Sequence, residues 1–242
     1  MKNSLANLTA VVTGASSGIG KAIALGVSSQ GGSVCLLGRN TERLRTVAEA
    51  IKKEGNKAIS YEIDLTVDGE VQALMGRLHE DFGRIDILVH SAAVIALNRF
   101  ENATVREFDW QYRTNVRAVF SLTQSLLPFL TSSQGQVVFI NSTAGLTANA
   151  NASQYAATKH ALKALADSLR EEVNLKGIRV LSVFLGRTAT PMQAAVYQME
   201  GHSYRPELLI QPEDVAAVVS HVLTLPRTVE VTEIRMRPLV KL

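Results

Sequence analysis

The sequence predicts a doubly wound α/β fold, in which a parallel sheet of seven strands carries helices on both faces. Apolar runs of strand length alternate with longer amphipathic stretches along the 242 residues, and short turns join them. This alternation is typical of parallel sheets, because each parallel strand needs a crossover before the next. Apolar residues make up 46% of the chain and charged residues 19%, which supports a sizeable core and argues against disorder. We expect a single domain over residues 1–242.

The elements follow from apolar periodicity and from turn residues. Strands are expected at residues 8–12, 33–37, 57–63, 85–90, 136–141, 177–184 and 230–237. Helices are expected after a glycine turn at 13–20, from 41 to 55 with Thr41 as N-cap, and at 67–82, 102–130, 153–175 and 213–225, with Pro128 interrupting the fourth helix near its end. Residues 191–212 are irregular. A long irregular segment in a compact domain is usually functional, so we expect a substrate lid at about 187–212, part of which can also pack as core.

Composition excludes several classes of protein. The net charge is +3 with scattered Lys and Arg, so neither nucleic acid nor a membrane is an expected partner. No apolar run is long enough for a membrane helix, and no signal peptide is evident. The one cysteine, Cys35, is expected to be a small buried residue of the second strand, which suits a reducing compartment. We expect a cytoplasmic protein, with a soluble form in a plastid or another organelle as the alternative. No metal is expected.

A tyrosine and a lysine stand four positions apart in the helix expected at 153–175. Tyr155 and Lys159 therefore share one face of that helix. A tyrosine hydroxyl has a pKa of about 10, and a neighbouring ammonium group lowers that pKa by favouring the phenolate. Such a tyrosine can exchange a proton with an alcohol or carbonyl oxygen. In isolation such a pair is more often an ordinary surface pair, so its interpretation depends on other motifs.

A glycine-rich turn follows the first strand. Residues 13–20 read TGASSGIG and lead into a helix with Ile23 and Val27 on one face. Strand, glycine turn and helix in this order place backbone N–H groups at a helix N-terminus, where they can bind a pyrophosphate. The spacing differs from the commonest dinucleotide fingerprint, and a tight structural turn is the alternative. Its position at the start of a βαβ unit favours a cofactor loop.

Two polar residues complete the set. Ser142 ends an apolar strand, where open α/β sheets bind their ligands, and its hydroxyl can donate a hydrogen bond to a substrate oxygen. The alternative is a serine that caps a turn. Asn115 stands inside a helical pattern for which asparagine has low propensity, and a solvent-facing side chain is its alternative.

Together these motifs resemble the classical short-chain dehydrogenase/reductase family, in its order and approximate spacing, over residues 8–238. The resemblance implies a Rossmann-type fold and an oxidoreductase. It implies that Tyr155 protonates a carbonyl oxygen as hydride arrives from nicotinamide, or deprotonates the alcohol in reverse. Ser142 would hydrogen-bond that oxygen, Lys159 would bind the nicotinamide ribose and lower the tyrosine pKa, and Asn115 would support a water-linked proton path.

The end of the second strand indicates which cofactor binds. Dinucleotide folds often carry an acid there, but this chain has Arg39 and Asn40. A guanidinium binds a 2′-phosphate bidentately, so we expect NADP(H) over NAD(H), with a solvated arginine as the alternative. Ser17 stands where many NADP-preferring members have a basic residue. Asp64 resembles the family residue that contacts adenine, and could equally hold the following turn. The expected cofactor residues are Gly14, Ser16, Ser17, Gly18, Ile19, Gly20, Arg39, Asn40, Asp64, Leu65, Ser91, Ala92, Ala93, Tyr155, Lys159, Gly186, Thr188 and Thr190.

Two stretches depart from the family pattern. Residues 90–93 read His-Ser-Ala-Ala where the family usually has Asn-Asn-Ala-Gly. Ala93 adds a methyl group where backbone and ribose approach closely, and His90 is expected to be satisfied by the backbone rather than to titrate. After the sixth strand Leu185 replaces the family's proline and is expected to reshape the pocket for a modest, partly apolar substrate. The expected pocket residues are Ala144, Leu185, Met192, Val196 and Tyr197.

Three functions remain open. The leading hypothesis is an NADP(H)-dependent carbonyl reductase or alcohol dehydrogenase acting on a small molecule. A 3-oxoacyl carrier-protein reductase would need a basic docking patch, and the loop at 131–135, expected near the mouth of the site, has no Lys or Arg. A non-catalytic NADP(H) sensor or scaffold is disfavoured by retention of all four catalytic positions. Because family members commonly pair through the helices at 102–130 and 153–175 and the last strand, we expect a homotetramer, with a dimer as second choice.

Overall fold

A computed structural model describes residues 4–240 and contains the predicted sheet. Its strands are β1 (Thr9–Thr13), β2 (Ser33–Gly38), β3 (Ala58–Glu62), β4 (Ile87–His90), β5 (Gln136–Ser142), β6 (Arg179–Leu185) and β7 (Glu233–Met236). All neighbouring strands pair in parallel, in the order β3-β2-β1-β4-β5-β6-β7. The predicted fold class is therefore confirmed.

Helices cover both faces of this sheet. They are α1 (Gly18–Ser29), α2 (Thr41–Lys53), α3 (Asp68–Phe82), α4 (Val105–Tyr112), α5 (Ala118–Ser133), α6 (Ser153–Val173), α7 (Pro191–Met199) and α8 (Pro212–Leu223). One apolar core packs α1, α2 and α8 on one face, and a second packs α3, α5 and α6 on the other. Successive residues of a strand point to opposite faces, so Val12 belongs to the first core, and Val11 and Cys35 to the second.

The strand order reverses at β1, which lies between β2 and β4. In open α/β sheets such a reversal creates a crevice at the carboxyl ends of the strands. Thr13 ends β1 and His90 ends β4, so both lie at this crevice. Residues 131–135, predicted to be a loop, are the end of α5 and the turn before β5, and they lie at the amino end of the sheet, about 20 Å away along a seven-residue strand. The expectation that this loop borders the mouth of the site was therefore wrong.

Two helix predictions were also wrong in detail. Asn40, not Thr41, caps α2: its Oδ1 accepts a hydrogen bond from the Arg43 N–H at 2.9 Å. Both residue types make good N-caps, so the sequence did not separate them. Pro128 does not interrupt its helix, because α5 continues to Ser133 despite the missing N–H donor.

The predicted helix at 102–130 is in fact two helices, joined by a π-helical turn. That turn spans Arg113–Arg117, between α4 and α5. A π turn widens the helix and frequently marks a functional position. Asn115 lies in it and is carried inward towards α6.

Among the described residues there is neither a helix that could span a membrane nor a cluster of side chains that could hold a metal ion. None of the helices within 4–240 combines the length and apolarity needed to cross a bilayer. Within the same residues, no group of three or more His, Cys, Asp or Glu side chains is arranged to hold a metal ion.

Candidate active site

The glycine loop brings the N-terminus of α1 to the crevice. Ser17 is the N-cap residue, and its side chain caps no N–H group in the described part of the chain, which leaves the first-turn N–H groups for an anion. Gly14 has a φ of +65°, which glycine adopts readily, and a Cβ there would lie 2.9 Å from the Ala92 nitrogen. Close contact between the loop and the end of β4 therefore requires a glycine at this position.

Thr13 ties these two segments together, a role that the sequence did not reveal. Its Oγ1 accepts hydrogen bonds from the N–H groups of Ser91 and Ala92, each at 3.0 Å, and donates to the Val89 carbonyl at 3.3 Å. The partners lie more than 70 positions along the chain, and a strand-end threonine gives no local signal of such a contact.

Arg39 and Asp64 lie at the end of the cleft beside β2 and β3. Asp64 Oδ1 accepts hydrogen bonds from Thr66, at 2.9 Å from its N–H and 2.7 Å from its hydroxyl. These bonds, with a smaller contribution from the Arg39 charge, lower the pKa of Asp64. Asp64 thus holds the following turn, as its alternative interpretation had it. Arg39 is exposed, lines the cleft and forms no salt bridge within residues 4–240, so its guanidinium is available to an anion.

His90 is buried at the end of β4 and stacks on Phe139, with ring centroids 5.1 Å apart. Its Nε2 lies 2.8 Å from Thr123 Oγ1, and that hydroxyl donates to the Val119 carbonyl at 2.8 Å. The hydroxyl must therefore accept from a protonated Nε2. Burial lowers the pKa of His90 to about 3, so the ring is neutral near pH 7. The prediction of a backbone partner was wrong, because the hydrogen-bond partner of His90 is the side chain of Thr123 in α5.

Ser142, Tyr155 and Lys159 meet where β5 ends beside α6. Ser142 Oγ accepts the Ala144 N–H at 3.1 Å, so it caps a turn while its own proton remains free to donate. Lys159 is 3% exposed, and its Nζ lies 5.7 Å from the centroid of the Tyr155 ring. That Nζ donates to the Ile140 carbonyl at 3.2 Å. The three polar groups therefore converge, as the sequence predicted.

Burial governs the protonation of this cluster. It raises the pKa of Tyr155 to about 12, and the opposing effect of the Ser142 hydrogen bond is smaller. Burial also lowers the pKa of Lys159 to about 8. The net direction is upward because burial penalises the phenolate and Lys159 Nζ is bonded to the Ile140 carbonyl. That Lys159 lowers the tyrosine pKa stays a prediction. The Tyr155 hydroxyl is protonated at neutral pH.

Asn115 is 1% exposed, so the solvent-facing alternative is wrong. Its Oδ1 accepts the Val94 N–H at 2.8 Å, and its Nδ2 donates to the Val94 carbonyl at 2.9 Å and to Thr158 Oγ1 at 3.2 Å. The side chain thus joins the π turn to the loop after β4 and to α6. It supports the cluster from behind rather than lining the cleft.

The segment after β6 forms the opposite wall. Thr190 packs against the glycine loop, since a Cβ placed on Gly18 would lie 3.1 Å from its Cγ2. Thr190 Oγ1 also caps α7 by accepting the Gln193 N–H at 3.1 Å. Thr188 Oγ1 donates to the Gly186 carbonyl at 3.1 Å. This wall is therefore fixed by its own hydrogen bonds.

The region expected to be a lid is largely helical, because it contains α7 and a short 3₁₀ turn at Pro206–Leu208. Arg187 holds the far end of α7 through two bonds to Glu200, at 2.7 and 2.9 Å. Its guanidinium carbon also lies 4.7 Å from the centroid of the Tyr197 ring. Val196 and Tyr197 are buried, so this segment packs as core as well as bordering the cleft.

A cleft of about 550 Å³ runs between these walls, and every residue predicted to bind the cofactor lines it. Ser142, Leu185, Met192 and Val196 line it too. Ala144 and Tyr197, predicted for the substrate pocket, do not. The Ala144 backbone N–H is bonded to Ser142 Oγ, and Tyr197 packs edge-on against Tyr204 with ring centroids 5.6 Å apart.

The sequence missed part of the wall beyond Tyr155. Trp110 and Thr114 line the cleft from one face of the α4 region, and their spacing of four is the signal that could have found them. The loop after β4 adds Ile95 and Leu97. Which residues of this loop face the cleft depends on how the loop crosses the sheet. An irregular loop has no periodic pattern in its sequence from which this could be predicted.

A doubly wound sheet with a glycine loop at a helix N-terminus and a cleft at the strand-order reversal is the architecture of a dinucleotide-binding protein. The family model for short chain dehydrogenases matches residues 8–201. An uncharacterized oxidoreductase of Staphylococcus epidermidis is 34% identical over 230 residues, covering 95% of this chain and 96% of that one. The chain therefore belongs to the short chain dehydrogenase family of oxidoreductases.

Solved structures of the same fold are similar over nearly the whole chain. An alcohol dehydrogenase from the archaeon Thermococcus sibiricus, complexed with 5-hydroxy-NADP, has a TM-score of 0.88 at 26% identity, over 96% of this chain and 97% of that one. A short chain dehydrogenase from Burkholderia cenocepacia in complex with NADP has a TM-score of 0.85 at 30% identity, over 97% and 98%.

Proposed function

We propose that this protein is an NADP(H)-dependent oxidoreductase that transfers hydride between nicotinamide and a ketone or secondary alcohol. The observation that carries the proposal is the convergence of Ser142, Tyr155 and Lys159 in a cleft whose other end is formed by the glycine loop. A proton donor, a hydrogen-bond donor and a buried cation within one cleft suit the polarisation and protonation of a carbonyl group.

Each residue has a distinct role in this proposal. Bound NADPH supplies the hydride, and the protein supplies orientation and proton transfer. Tyr155 gives its proton to the carbonyl oxygen in reduction and takes it back from the alcohol in oxidation. Ser142 donates a hydrogen bond to the same oxygen, because its Oγ accepts from Ala144 and keeps its own proton for the substrate. Lys159 holds the nicotinamide ribose, and Asn115 fixes the position of α6 relative to the π turn.

The preference for NADP(H) rests on Arg39. Its exposed guanidinium lines the cleft at the end of β2, in the place where NAD-binding folds often carry an acid. A guanidinium favours a 2′-phosphate through bidentate hydrogen bonds. The NADP complexes of the two similar structures support this choice of cofactor. The uncapped N-terminus of α1 fits the pyrophosphate.

The competing functions have less support. Residues 131–135 lie away from the site, so their lack of Lys and Arg does not count against a carrier-protein reductase. Their position also identifies no basic patch on which a carrier protein could dock. A sensor would need no converged proton donor, and Tyr155 with Ser142 provides one. We further propose that α7 and its flanks act as the substrate lid of the single domain.

Activity with a panel of neutral ketones and NADPH, and of secondary alcohols with NADP⁺, tests the proposal directly. We expect saturable consumption of NADPH with at least one ketone class. Tight NADPH binding without any turnover would support the sensor alternative. Absence of NADPH binding would reject the cofactor assignment itself.

A further inference from the structure

The part of the cleft beyond Tyr155 is mostly apolar. Its apolar side chains are those of Val94, Ile95, Leu97, Trp110, Met192 and Val196, and the uncharged polar residues Thr114 and Gln193 line the cleft with them. Burying a carboxylate or phosphate in such surroundings is unfavourable unless a free cation accompanies it.

The described residues offer no such cation there. Of the 37 residues that line the cleft, only four carry a formal charge, namely Arg39, Asp64, Lys159 and Arg187. The first two lie at the far end, beside β2 and β3, and Lys159 is occupied beneath Tyr155. Arg187 is neutralised by two hydrogen bonds to Glu200 and lies over the Tyr197 ring. An anionic substrate group would therefore meet no free cation at this end among the described residues.

Trp110 is the only tryptophan in the chain, and 43% of it is exposed although it lines the cleft. The helix that carries it is held firmly. The next residue, Gln111, is fully buried, accepts the Ala96 N–H at 3.1 Å and donates to Gln154 at 3.2 Å. Trp110 is thus an exposed indole on a fixed backbone, a suitable surface for stacking a planar ring. Met192, whose sulfur is favourable beside aromatic rings, lines the same cleft.

We propose that the substrate is an uncharged aryl ketone or the corresponding secondary alcohol, and that Trp110 determines this specificity by stacking on the aryl ring. The inference rests on the proposed function, since it names the substrate class of the same site. The carbonyl group lies at Ser142 and Tyr155, and the ring extends towards α4.

Tryptophan fluorescence measures binding independently of turnover, because Trp110 is the sole source. In the presence of NADP⁺, acetophenone should change the emission saturably, and the anionic aryl ketone benzoylformate should not. A variant that combines Trp110→Phe with Phe120→Trp places the indole at an exposed site outside the cleft and should show no saturable change. This control corrects for light absorbed by the ketone.

Kinetics supply the second readout. Trp110→Ala should raise KM for acetophenone about tenfold with a smaller change in kcat, as expected for loss of a stacking contact. KM for the aliphatic ketone 2-octanone should change less than twofold, and Trp110→Phe should restore most of the acetophenone affinity. Equal effects of Trp110→Ala on both ketones, or tighter binding of benzoylformate, would overturn the substrate assignment. Saturable fluorescence without turnover would support the assignment while rejecting the proposed chemistry.

Discussion

Lys159 Nζ lies 5.7 Å from the centroid of the Tyr155 ring and bonds to the Ile140 carbonyl instead of to the tyrosine hydroxyl. The buried ammonium is thus stabilised by a single neutral carbonyl among the residues described, and burial lowers its pKa to about 8. The charged Lys159 ammonium therefore destabilises the folded protein, and deprotonation at higher pH removes this effect.

The first prediction concerns stability at alkaline pH. The pKa of Lys159 is lower in the folded protein than the ordinary value near 10.5, so the unfolded state binds more protons between these values. Stability contributed at this position therefore rises as pH increases through 8. Between pH 7 and 9, the free energy of unfolding of the native protein should gain about 1 kcal/mol relative to Lys159→Met. Urea unfolding at both pH values measures it. Lys176→Met, which removes an exposed lysine, should keep the same gain in stability between pH 7 and 9 as the native protein.

The second prediction concerns the proton donor. Tyr155→Phe keeps the ring and its packing but removes the transferable proton, so kcat for ketone reduction should fall roughly 10²–10⁴-fold. NADPH affinity, measured by titration, should stay within a few-fold. Ser142→Ala should lower kcat and likewise spare the cofactor, because its partner is the substrate oxygen. Near-normal turnover by Tyr155→Phe would reject the assignment of Tyr155 as the proton donor.

The third prediction concerns the choice of cofactor. Arg39→Ala removes the guanidinium expected to bind the 2′-phosphate, so Kd for NADPH should rise about tenfold or more, while Kd for NADH changes little. Arg43→Ala on the exposed side of α2 is the matched control. Equal affinity of the unaltered protein for the two cofactors would contradict the prediction.

The fourth prediction concerns acid stability. Burial lowers the pKa of His90 from about 6.5 to about 3, so between these values the unfolded state binds the extra proton and stability falls as pH falls. His90→Asn, which substitutes the residue usual in the family, should remove this loss. Between pH 7 and 5 the native protein should lose about 2 kcal/mol more than the variant. His202→Asn, at an exposed histidine, should behave like the native protein. Parallel pH profiles for all three proteins would show that His90 does not titrate as described.

The fifth prediction concerns assembly. Val105, Phe108 and Tyr112 share one face of α4, and their exposed fractions are 76%, 39% and 48%. We propose that this stripe pairs with a second copy in a homotetramer, or in a dimer as second choice. Phe108→Glu should lower the mass measured by light scattering at micromolar concentration. Met199→Glu, at an exposed apolar residue of α7, should leave the mass unchanged. A monomeric native protein would refute the proposal.

The sequence by itself determined the fold class, the order of the elements and the lining of the cofactor end of the cleft. These features depend on local signals. Apolar periodicity identifies strands and helices, and the glycine pattern at 13–20 predicts a tight turn. The carboxyl ends of parallel strands must lie on one edge of the sheet, so the sequence alone places Arg39, Asp64, Ser142 and Leu185 at the same edge.

Only the tertiary structure decided which partner each polar side chain has. His90 bonds to Thr123, Asn115 to Val94 and Thr158, and Lys159 to Ile140, across separations of 19 to 43 residues. Hydrogen bonds of this kind depend on how helices cross the sheet, and burial then sets the protonation of each group. Two other misses did not need the tertiary structure: the i,i+4 spacing of Trp110 and Thr114 and the position of residues 131–135 before β5 are both signals in the sequence. Spacing along a chain fixes the face of one element, but packing between elements fixes what that face meets.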